Sequence, residues 1–276
     1  MKKVLGLVVS ERRLGNSELL VKEIMSQIPE PCTREMIRLT ELRIEPCKAC
    51  YRCLQPELKC KVEDDFKFVI DKIKEADALI IGMPVYILGP HGYYKMLTDR
   101  LLGSNNHAAY TRGKPCVIAI SYGQQRWNGY SRAASLALPR LLEMKILDCW
   151  MVQAALPGES LLNHLNLEHA RSLGINLFTG QEYAKGPREC IHCGSDLFRL
   201  LPDGEVECPI CAARGTLKPN NLPDLSAADY CRFWPHELEE HFKGWLVSTK
   251  QKFLVEKDKL KEVQQKYKEI DWWVKP

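Results

Sequence analysis

The chain of 276 residues contains no apolar run long enough to cross a membrane. Its longest uncharged stretch, residues 78–94, is broken by Pro84 and Pro90 and falls short of the ~20 residues that a spanning helix needs. The apolar run at residues 4–9 is too short for a secretory signal peptide. These features predict a cytoplasmic protein that does not contact a membrane.

The chain also lacks the motifs of several enzyme classes. It has no G-x-x-x-x-G-K-[ST] loop and no G-x-G-x-x-G fingerprint, which argues against a nucleotide triphosphatase and a dinucleotide fold. It has no G-x-S-x-G, so serine-hydrolase chemistry is unsupported. The net charge of +4 is modest and predicts no nucleic-acid partner. The remaining composition, 45% hydrophobic and 27% charged, is typical of a globular protein.

Strand-like and helix-like segments alternate over roughly the first 180 residues. Residues 4–9 form a continuous apolar run, which is the pattern of a strand buried on both faces. Further strands are predicted at residues 36–39, 78–83, 116–121 and 146–154, with helices between them. Five strands in this rhythm predict an α/β fold with a flavodoxin-like, doubly wound parallel sheet.

A polar loop at residues 10–17 joins the first strand to the first helix. A phosphate placed there would meet helix N-terminal amides and the positive end of the helix dipole. Ser10, Ser17, Asn16 and Arg12 add donors, and Gly15 lets the backbone approach closely. An ordinary polar turn before a capped helix is the alternative interpretation.

A compact cysteine group lies in the loop after the second predicted strand. It consists of Cys47, Cys50, Cys53 and Cys60, with the spacing C-x2-C-x2-C-x6-C. Four thiolates this close in sequence favour a [4Fe–4S] cluster over zinc, whose structural sites pair two separated knuckles. The flanking cations Lys48, Arg52, Lys59 and Lys61 would offset the negative charge of a thiolate-ligated cluster. A zinc site and unligated thiols remain alternatives.

A second group has the spacing C-x2-C-x14-C-x2-C and consists of Cys190, Cys193, Cys208 and Cys211. Two such knuckles across a predicted hairpin are typical of a zinc ribbon, with a mononuclear iron centre as the alternative, because tetrahedral sulfur suits both metals. The segment has no basic cluster, which argues against nucleic acid and favours a structural or partner-docking role. The other cysteines, Cys32, Cys116, Cys149 and Cys231, are predicted to be packed thiols.

Two segments resemble the FMN loops of the NADPH-dependent FMN reductase branch of flavodoxin-like proteins. One is S-x-R-x-x-G-N-S at residues 10–17. The other is G-M-P-V-Y at residues 82–86, followed by Lys95 and by T-D-R at residues 98–100. Met83 stands where the family often has Ser, and Leu97 where it often has Phe. The compact cysteine spacing resembles that of iron–sulfur flavoproteins, a subgroup of this family whose cysteine loop also follows strand two.

This resemblance implies an FMN whose phosphate lies at residues 10–17 and whose isoalloxazine ring lies beside Pro84, Val85 and Tyr86. A third loop, containing Ser121, Tyr122 and Gly123, is loosely similar to the family's remaining flavin contact. The resemblance further implies a [4Fe–4S] cluster at the compact group, a homodimer or homotetramer, and a redox partner protein. The implied function is that of an oxidoreductase converting between two-electron and one-electron transfer.

The chain is expected to divide into three parts. These are a flavodoxin-like FMN-binding domain at 1–185 containing the cysteine loop 47–60, a zinc-ribbon or rubredoxin-like module at 186–216, and a helical extension at 217–276. Two other functions remain open. One is an NAD(P)H-dependent FMN or quinone reductase without a cluster, and the other is a non-catalytic subunit that docks to a redox complex through the ribbon and tail.

Overall fold

A central parallel sheet organises the first part of the chain. The computed structural model describes residues 1–54, 60–103, 105–269 and 272–274. Within them the strands of this sheet are β1 (Lys2–Val8), β2 (Cys32–Arg38), β3 (Ala78–Tyr86), a short β4 (Gly89–Pro90), β5 (Pro115–Tyr122) and β6 (Lys145–Gln153). The order is β2-β1-β3-β5-β6 with parallel pairing throughout, and β4 folds back antiparallel on β3. The predicted flavodoxin-like sheet is confirmed.

Helices cover both faces of this sheet. They are α1 (Asn16–Ser26), α2 (Phe66–Glu75), α3 (Gly92–Asp99), α4 (Asn105–Thr111), α5 (Ser131–Ser135), α6 (Ala137–Leu141) and α7 (His164–Ile175). Successive side chains of a strand point to opposite faces. Leu5 and Leu7 of β1 therefore join the core under α2 and α3, while Val4 and Val8 join the core under α1. This double burial explains the unbroken apolar run at the N-terminus.

The second strand begins four residues earlier than the sequence predicts. β2 lies at an edge of the sheet, and its first half carries Arg34 and Glu35, which are partly exposed. Glu35 accepts a hydrogen bond from Lys72 of α2 at 2.7 Å. Since an edge strand buries few of its side chains, the apolar signal marks only the end of this strand.

The helix predicted between the strands at residues 116–121 and 146–154 is divided into α5 and α6. Pro139 lacks a backbone N–H, so the carbonyl group of Ser135 has no donor one turn later. The hydroxyl group of Tyr94 donates to that carbonyl oxygen instead. The break therefore couples α5 to α3 through a buried side chain.

A second, antiparallel sheet follows the parallel one. Its strands are β7 (Arg199–Leu200), β8 (Val206–Glu207), β9 (Arg214–Leu217) and β10 (Pro223–Asp224), in the order β10-β9-β8-β7. The predicted hairpin corresponds to β7 and β8, and the sheet continues to Asp224. The four cysteines of the second group lie in the core of this unit, together with Leu225 and Cys231.

The C-terminal segment is helical. It contains α8 (Pro235–Glu239), a π-helical segment (Glu240–Trp245), α9 (Leu246–Val255) and α10 (Lys257–Gln265). Leu238, Phe242 and Leu246 are buried, and they pack against Tyr51 and Leu54 of the compact cysteine loop. Within the described residues, none of the helices combines the length and the apolar character that crossing a membrane requires.

Candidate functional site

The three loops predicted to contact FMN meet at one edge of the parallel sheet. Val8 of β1 is in register with Gly82 of β3, and Pro84 of β3 is in register with Ser121 of β5. The carboxyl ends of these strands therefore lie side by side, and the loops that follow them are neighbours. In a doubly wound sheet this edge, near the point where the strand order reverses, is where ligands bind.

The first and third loops are joined by two buried serines. The hydroxyl oxygens of Ser17 and Ser121 are 3.2 Å apart, and the two residues are 2% and 5% exposed. Gly82 makes this closeness possible, because a Cβ atom at that position would lie 2.3 Å from the carbonyl oxygen of Ser17. The N-terminus of α1 is therefore held against β3 at the sheet edge.

The N-terminus of α1 has free capacity for an anion. Gly15 occupies the N-cap position and offers no side chain, so the first-turn amides of α1 carry no side-chain cap. The negative charge of Glu18 in the same turn is compensated by two cations, because Glu18 accepts hydrogen bonds from Lys22 at 2.6 Å and from Arg38 at 2.5 Å. Burial opposes ionisation of Glu18, but these hydrogen bonds outweigh it and lower the pKa of Glu18 to about 2. A phosphate group fits this environment.

Asn16 and Arg12 connect the first loop to the segment after β6. The side-chain amide of Asn16 donates to the carbonyl oxygens of Ala154 and Leu156 at 3.1 and 3.0 Å. Its oxygen accepts from the backbone N–H of Ser160 at 3.2 Å. Both amide hydrogens of Asn16 are thus engaged within the protein, whereas Arg12 is exposed and donates to a backbone carbonyl at 3.4 Å. Among these two side chains, Arg12 has the greater capacity for a ligand.

The second loop is a tight hairpin that presents an aromatic side chain. Ile87 and Leu88 have φ angles of 45° and 70°, as the type I′ turn between β3 and β4 requires. Tyr86 is 51% exposed, and its ring centroid lies 4.9 Å from that of His91. Burial lowers the pKa of His91, so its imidazole is neutral at pH 7. Tyr86 therefore offers a flat face, supported from behind by His91, next to the loops described above.

The third loop packs against the tip of this hairpin. The backbone N–H of Tyr130 donates to the carbonyl oxygen of Leu88 at 2.8 Å. Gly123 is exposed, while the carbonyl oxygen of Tyr122 accepts a hydrogen bond from Ala154 at 2.8 Å. All three predicted FMN loops thus lie at the same sheet edge, with Ser10 and Ser17 buried and Tyr86 accessible.

The compact cysteine group lines a cavity of about 420 Å³, which residues of α2 and α4 also line. Cys47, Cys50, Cys53 and Cys60 all contribute to its wall; residues 55–59, including Lys59, lie outside the described ranges. Burial raises the pKa of the Cys53 thiol, and the three neighbouring sulfur atoms raise it further. A metal centre bound among these thiols would bring positive charge and lower their pKa values, so that the thiols could bind as thiolates.

A buried ion pair supports the last cysteine of this group. Arg100 and Asp64 have side chains only 2% and 1% exposed and are joined at 2.6 Å. The guanidinium of Arg100 also donates to the sulfur of Cys60 at 3.4 Å and stacks over Phe66. Burial opposes ionisation of Asp64, but the hydrogen bonds from Arg100 outweigh it and lower the pKa of Asp64. Arg100 is therefore fixed in place with one donor directed at a candidate ligand sulfur.

Two buried nitrogen atoms near this cavity have no partner in the described part of the chain. They are Nε of Arg52, between Cys50 and Cys53, and Nδ1 of His107, which lines the cavity. A buried polar atom without a hydrogen bond costs about 1–3 kcal/mol. Sulfide and thiolate sulfurs accept hydrogen bonds, so an iron–sulfur cluster in this cavity would give the Arg52 donor a partner.

The second cysteine group has a different geometry. Its four sulfur atoms are fully buried and lie within 4.8 Å of one another. The Cys190–Cys211 and Cys193–Cys208 sulfur distances are both 3.5 Å. A tetrahedron of sulfurs at 2.3 Å from zinc has edges of about 3.8 Å. This set therefore fits one tetrahedral ion, whereas the compact group is not gathered into such a set in the described residues.

The α/β part of the chain matches a known protein family. Residues 2–155 match a family model described as NADPH-dependent FMN reductase. The chain belongs to this family. The matched segment begins at β1 and ends just after β6, so it contains the three sheet-edge loops and the compact cysteine loop.

Proteins similar to this chain include iron–sulfur flavoproteins. One from Methanocaldococcus jannaschii is 41% identical over 99 residues, which are 36% of this chain and 51% of that protein. One from Archaeoglobus fulgidus is 41% identical over 66 residues, covering 24% of this chain and 32% of that protein. The matches therefore span about half of the first relative's length and about a third of the second's. A solved flavone reductase superposes with a TM-score of 0.71 over 99% of both chains at 20% identity, a likeness of fold that includes the C-terminal segment.

Cys231 is a feature of this FMN reductase family member that the sequence pattern does not single out. It is buried beside the second cysteine group, and a hydrogen bond with Cys211 lowers its pKa. Cys231 lies 20 residues after Cys211 and is not part of a C-x2-C knuckle, so the sequence predicts only a packed thiol there. Cys32, Cys116 and Cys149 are packed thiols as predicted, and burial raises the pKa of Cys149 to about 12. His192 binds the carbonyl oxygen of Leu225 at 2.9 Å.

We propose that the second group holds one zinc ion, and loss of one of its cysteines is expected to release that ion. In Cys208→Ser, elemental analysis is expected to give less than about 0.2 zinc per chain, against about one for the unaltered chain, because structural zinc sites use four ligands. Five of the eight buried residues in the core of this unit are cysteines, so hydrogen exchange across residues 190–231 is also expected to accelerate. Cys32→Ser, outside the unit, is the control; equal zinc in both variants would contradict this assignment.

Proposed function

We propose that this protein is an oxidoreductase that carries FMN and one [4Fe–4S] cluster and converts between two-electron and one-electron transfer. The observation that carries the proposal is that all four cysteines of the compact group line one cavity, in the same family-matched segment that contains the three predicted FMN loops. The membership in the NADPH-dependent FMN reductase family and the iron–sulfur flavoprotein relatives support it.

The sheet-edge residues have separate roles in this proposal. The first-turn amides of α1, with Ser10, Ser17 and Arg12, would bind the phosphate of FMN, while Asn16 fixes the adjoining loop through its three hydrogen bonds. Pro84, Val85 and Tyr86 would contact one side of the flavin ring, and Ser121, Tyr122 and Gly123 would offer backbone groups to it. FMN supplies hydride and single-electron chemistry when it is bound. The protein residues orient it and shield it from water.

The compact cysteine loop would hold the cluster through Cys47, Cys50, Cys53 and Cys60. A cluster ligated by four thiolates carries negative charge, and hydrogen bonds to its sulfurs tune its potential. Arg100 provides such a hydrogen bond to Cys60, and the exposed cations Lys48 and Lys61 flank the loop. The cluster passes one electron at a time when it is bound.

We propose that the chain divides into residues 1–185, 186–216 and 217–276, and that the two later parts have separate roles. The zinc-ribbon, with Cys190, Cys193, Cys208 and Cys211 as ligands, would anchor the start of the helical extension. Leu238 and Phe242 of that extension pack on Tyr51 and Leu54, so the extension would cover the cysteine loop. A redox partner protein would exchange electrons with the cluster near this surface.

Reductive titration tests the function directly. Protein purified without oxygen is expected to take up about three electrons per chain from dithionite, two at FMN and one at the cluster. Cys50→Ser is expected to take up about two. Two electrons in both proteins would favour the second candidate, an FMN or quinone reductase without a cluster, which the family match also supports. Uptake near zero would favour a docking subunit without redox chemistry.

A homodimer or homotetramer is also proposed. The hairpin tip and the adjoining loop expose Ile87, which is 85% accessible, and Trp127, which is 53% accessible. Apolar side chains gathered at a loop edge are typical of subunit contacts. Such a contact would lie next to the FMN loops, so a second subunit would complete the flavin environment.

Introducing a charge at the hairpin tip is expected to separate the subunits. In Ile87→Asp, the molar mass from light scattering is expected to fall to that of one chain, since burying an unpaired carboxylate in an interface is unfavourable. Leu162→Asp, at an exposed leucine outside the hairpin, is the matched control and should leave the mass unchanged. A single-chain mass for the unaltered protein would contradict the oligomer proposal itself.

A further inference from the structure

A second cavity, here called the α3–tail cavity, lies between the parallel-sheet part and the C-terminal segment. Its volume is about 660 Å³. One wall consists of Pro90 and residues of α3, α5 and α6; the opposite wall consists of residues 230–242. None of the residues assigned above to FMN or to the metal sites lines it. The volume lies within the range of small-molecule sites, about 300–1,000 Å³.

The walls of the α3–tail cavity are mainly flat and apolar. Four aromatic side chains line it, from Tyr94, Tyr230, Phe233 and Phe242. The hydroxyl group of Tyr94 is already engaged by the carbonyl oxygen of Ser135, so this residue contributes its ring and no free polar group. Aromatic walls pack well against a planar ligand, through offset-stacked or edge-to-face contacts.

The charged groups of the α3–tail cavity cancel. Lys95 forms an ion pair with Asp99 one turn later on α3. On the opposite wall Arg232 and Glu237 supply one charge of each sign, so the lining has no net charge. His241 is the only histidine among the lining residues, and burial together with the nearby Arg232 lowers its pKa, so it adds no positive charge at neutral pH. A charged ligand would lose its hydration without meeting a net charge of opposite sign, so the cavity favours an uncharged ligand.

We propose that the α3–tail cavity binds an uncharged, planar aromatic compound. The α3–tail cavity lies beside both proposed redox sites. Leu102 lines both this cavity and the compact cysteine cavity, and Pro90, on the other side, pairs with Val85 of the FMN hairpin. Leu102 alone would separate a compound bound here from the compact cysteine cavity, so the compound could accept electrons from a cluster held there. This role as an electron acceptor rests on the proposed function, whereas the binding itself does not.

Binding of 9-fluorenone to the FMN-loaded protein tests the proposal. This compound is planar, uncharged and unreactive toward thiols, and 9-fluorenone-4-carboxylate is its anionic counterpart. We expect one fluorenone site per chain by titration calorimetry and at least tenfold weaker binding of the carboxylate. Fluorenone is also expected to slow hydrogen exchange in residues 230–242. Equal affinity for both compounds, or no protection of this segment, would overturn the proposal.

Variants that fill the cavity locate the binding. Ala134→Phe and Ala137→Phe each place a ring in the cavity and are expected to weaken fluorenone binding at least tenfold. Ala109→Phe, on an exposed face of α4, is the matched control and should bind as the unaltered protein does. The same affinity is expected after FMN is removed. Binding that disappears with FMN would place the compound on the flavin and contradict the proposal, while leaving the proposed function intact.

Discussion

Cys50→Ser is expected to lose nearly all of its iron. The unaltered protein, purified without oxygen, is expected to contain about four iron atoms and four acid-labile sulfides per chain in the compact loop, and the variant less than about one of each. A serine hydroxyl is a poor replacement for a thiolate ligand. Because Cys50 is exposed, the substitution disturbs little packing, and the loss would report on ligation. Iron analysis and the visible absorption of the cluster measure the effect.

Two controls separate ligation from general damage in this experiment. Cys32→Ser alters a cysteine outside both groups and should retain the full iron content. FMN content should be unchanged in Cys50→Ser, since its position is not among the residues of the three FMN loops. Retention of the complete iron–sulfur spectrum in Cys50→Ser would remove this residue from the ligand set.

Arg100→Met is expected to destabilise the protein by about 3–5 kcal/mol, because it leaves the carboxylate of Asp64 buried without its charge partner. The backbone N–H of Glu45 also donates to Asp64, so the carboxylate would keep only neutral partners. The same variant removes the hydrogen bond to the sulfur of Cys60, which is expected to lower the reduction potential of the cluster. Chemical unfolding measures the first effect, and a potentiometric titration measures the second.

Matched variants distinguish these two effects of Arg100. Arg13→Met breaks an exposed ion pair with Glu41 and should cost no more than about 1 kcal/mol. The double variant Arg100→Met with Asp64→Asn should recover part of the lost stability, because no buried charge then remains, but it should not recover the potential. A potential that is restored along with stability would show that Arg100 acts on the fold and not on the cluster.

The parts of the site that are close in sequence are the parts that the sequence predicts. The C-x2-C spacings bring each cysteine near its partner whatever the rest of the fold does, so both groups are visible at once. The loop at residues 10–17 is predicted for the same reason, since it directly joins a strand to a helix. The apolar runs that form β1, β3, β5 and β6 are equally local signals.

The remaining features depend on distant contacts. Arg100 reaches Cys60 across 40 residues, and Asn16 binds carbonyl groups 138 and 140 residues away. No local pattern encodes such contacts, although T-D-R at residues 98–100 is part of the family resemblance. The α3–tail cavity likewise arises only when residues 230–242 fold back over α3.

Native mass spectrometry of protein purified without oxygen tests the central claim most directly, because it weighs all bound groups on one chain. The account predicts a mass that exceeds the polypeptide by one FMN, one [4Fe–4S] cluster and one zinc ion. Cys50→Ser should retain the masses of FMN and zinc and lack only the mass of the cluster. A mass equal to polypeptide, FMN and zinc for the unaltered protein would contradict the claim that the compact cysteine loop holds a cluster.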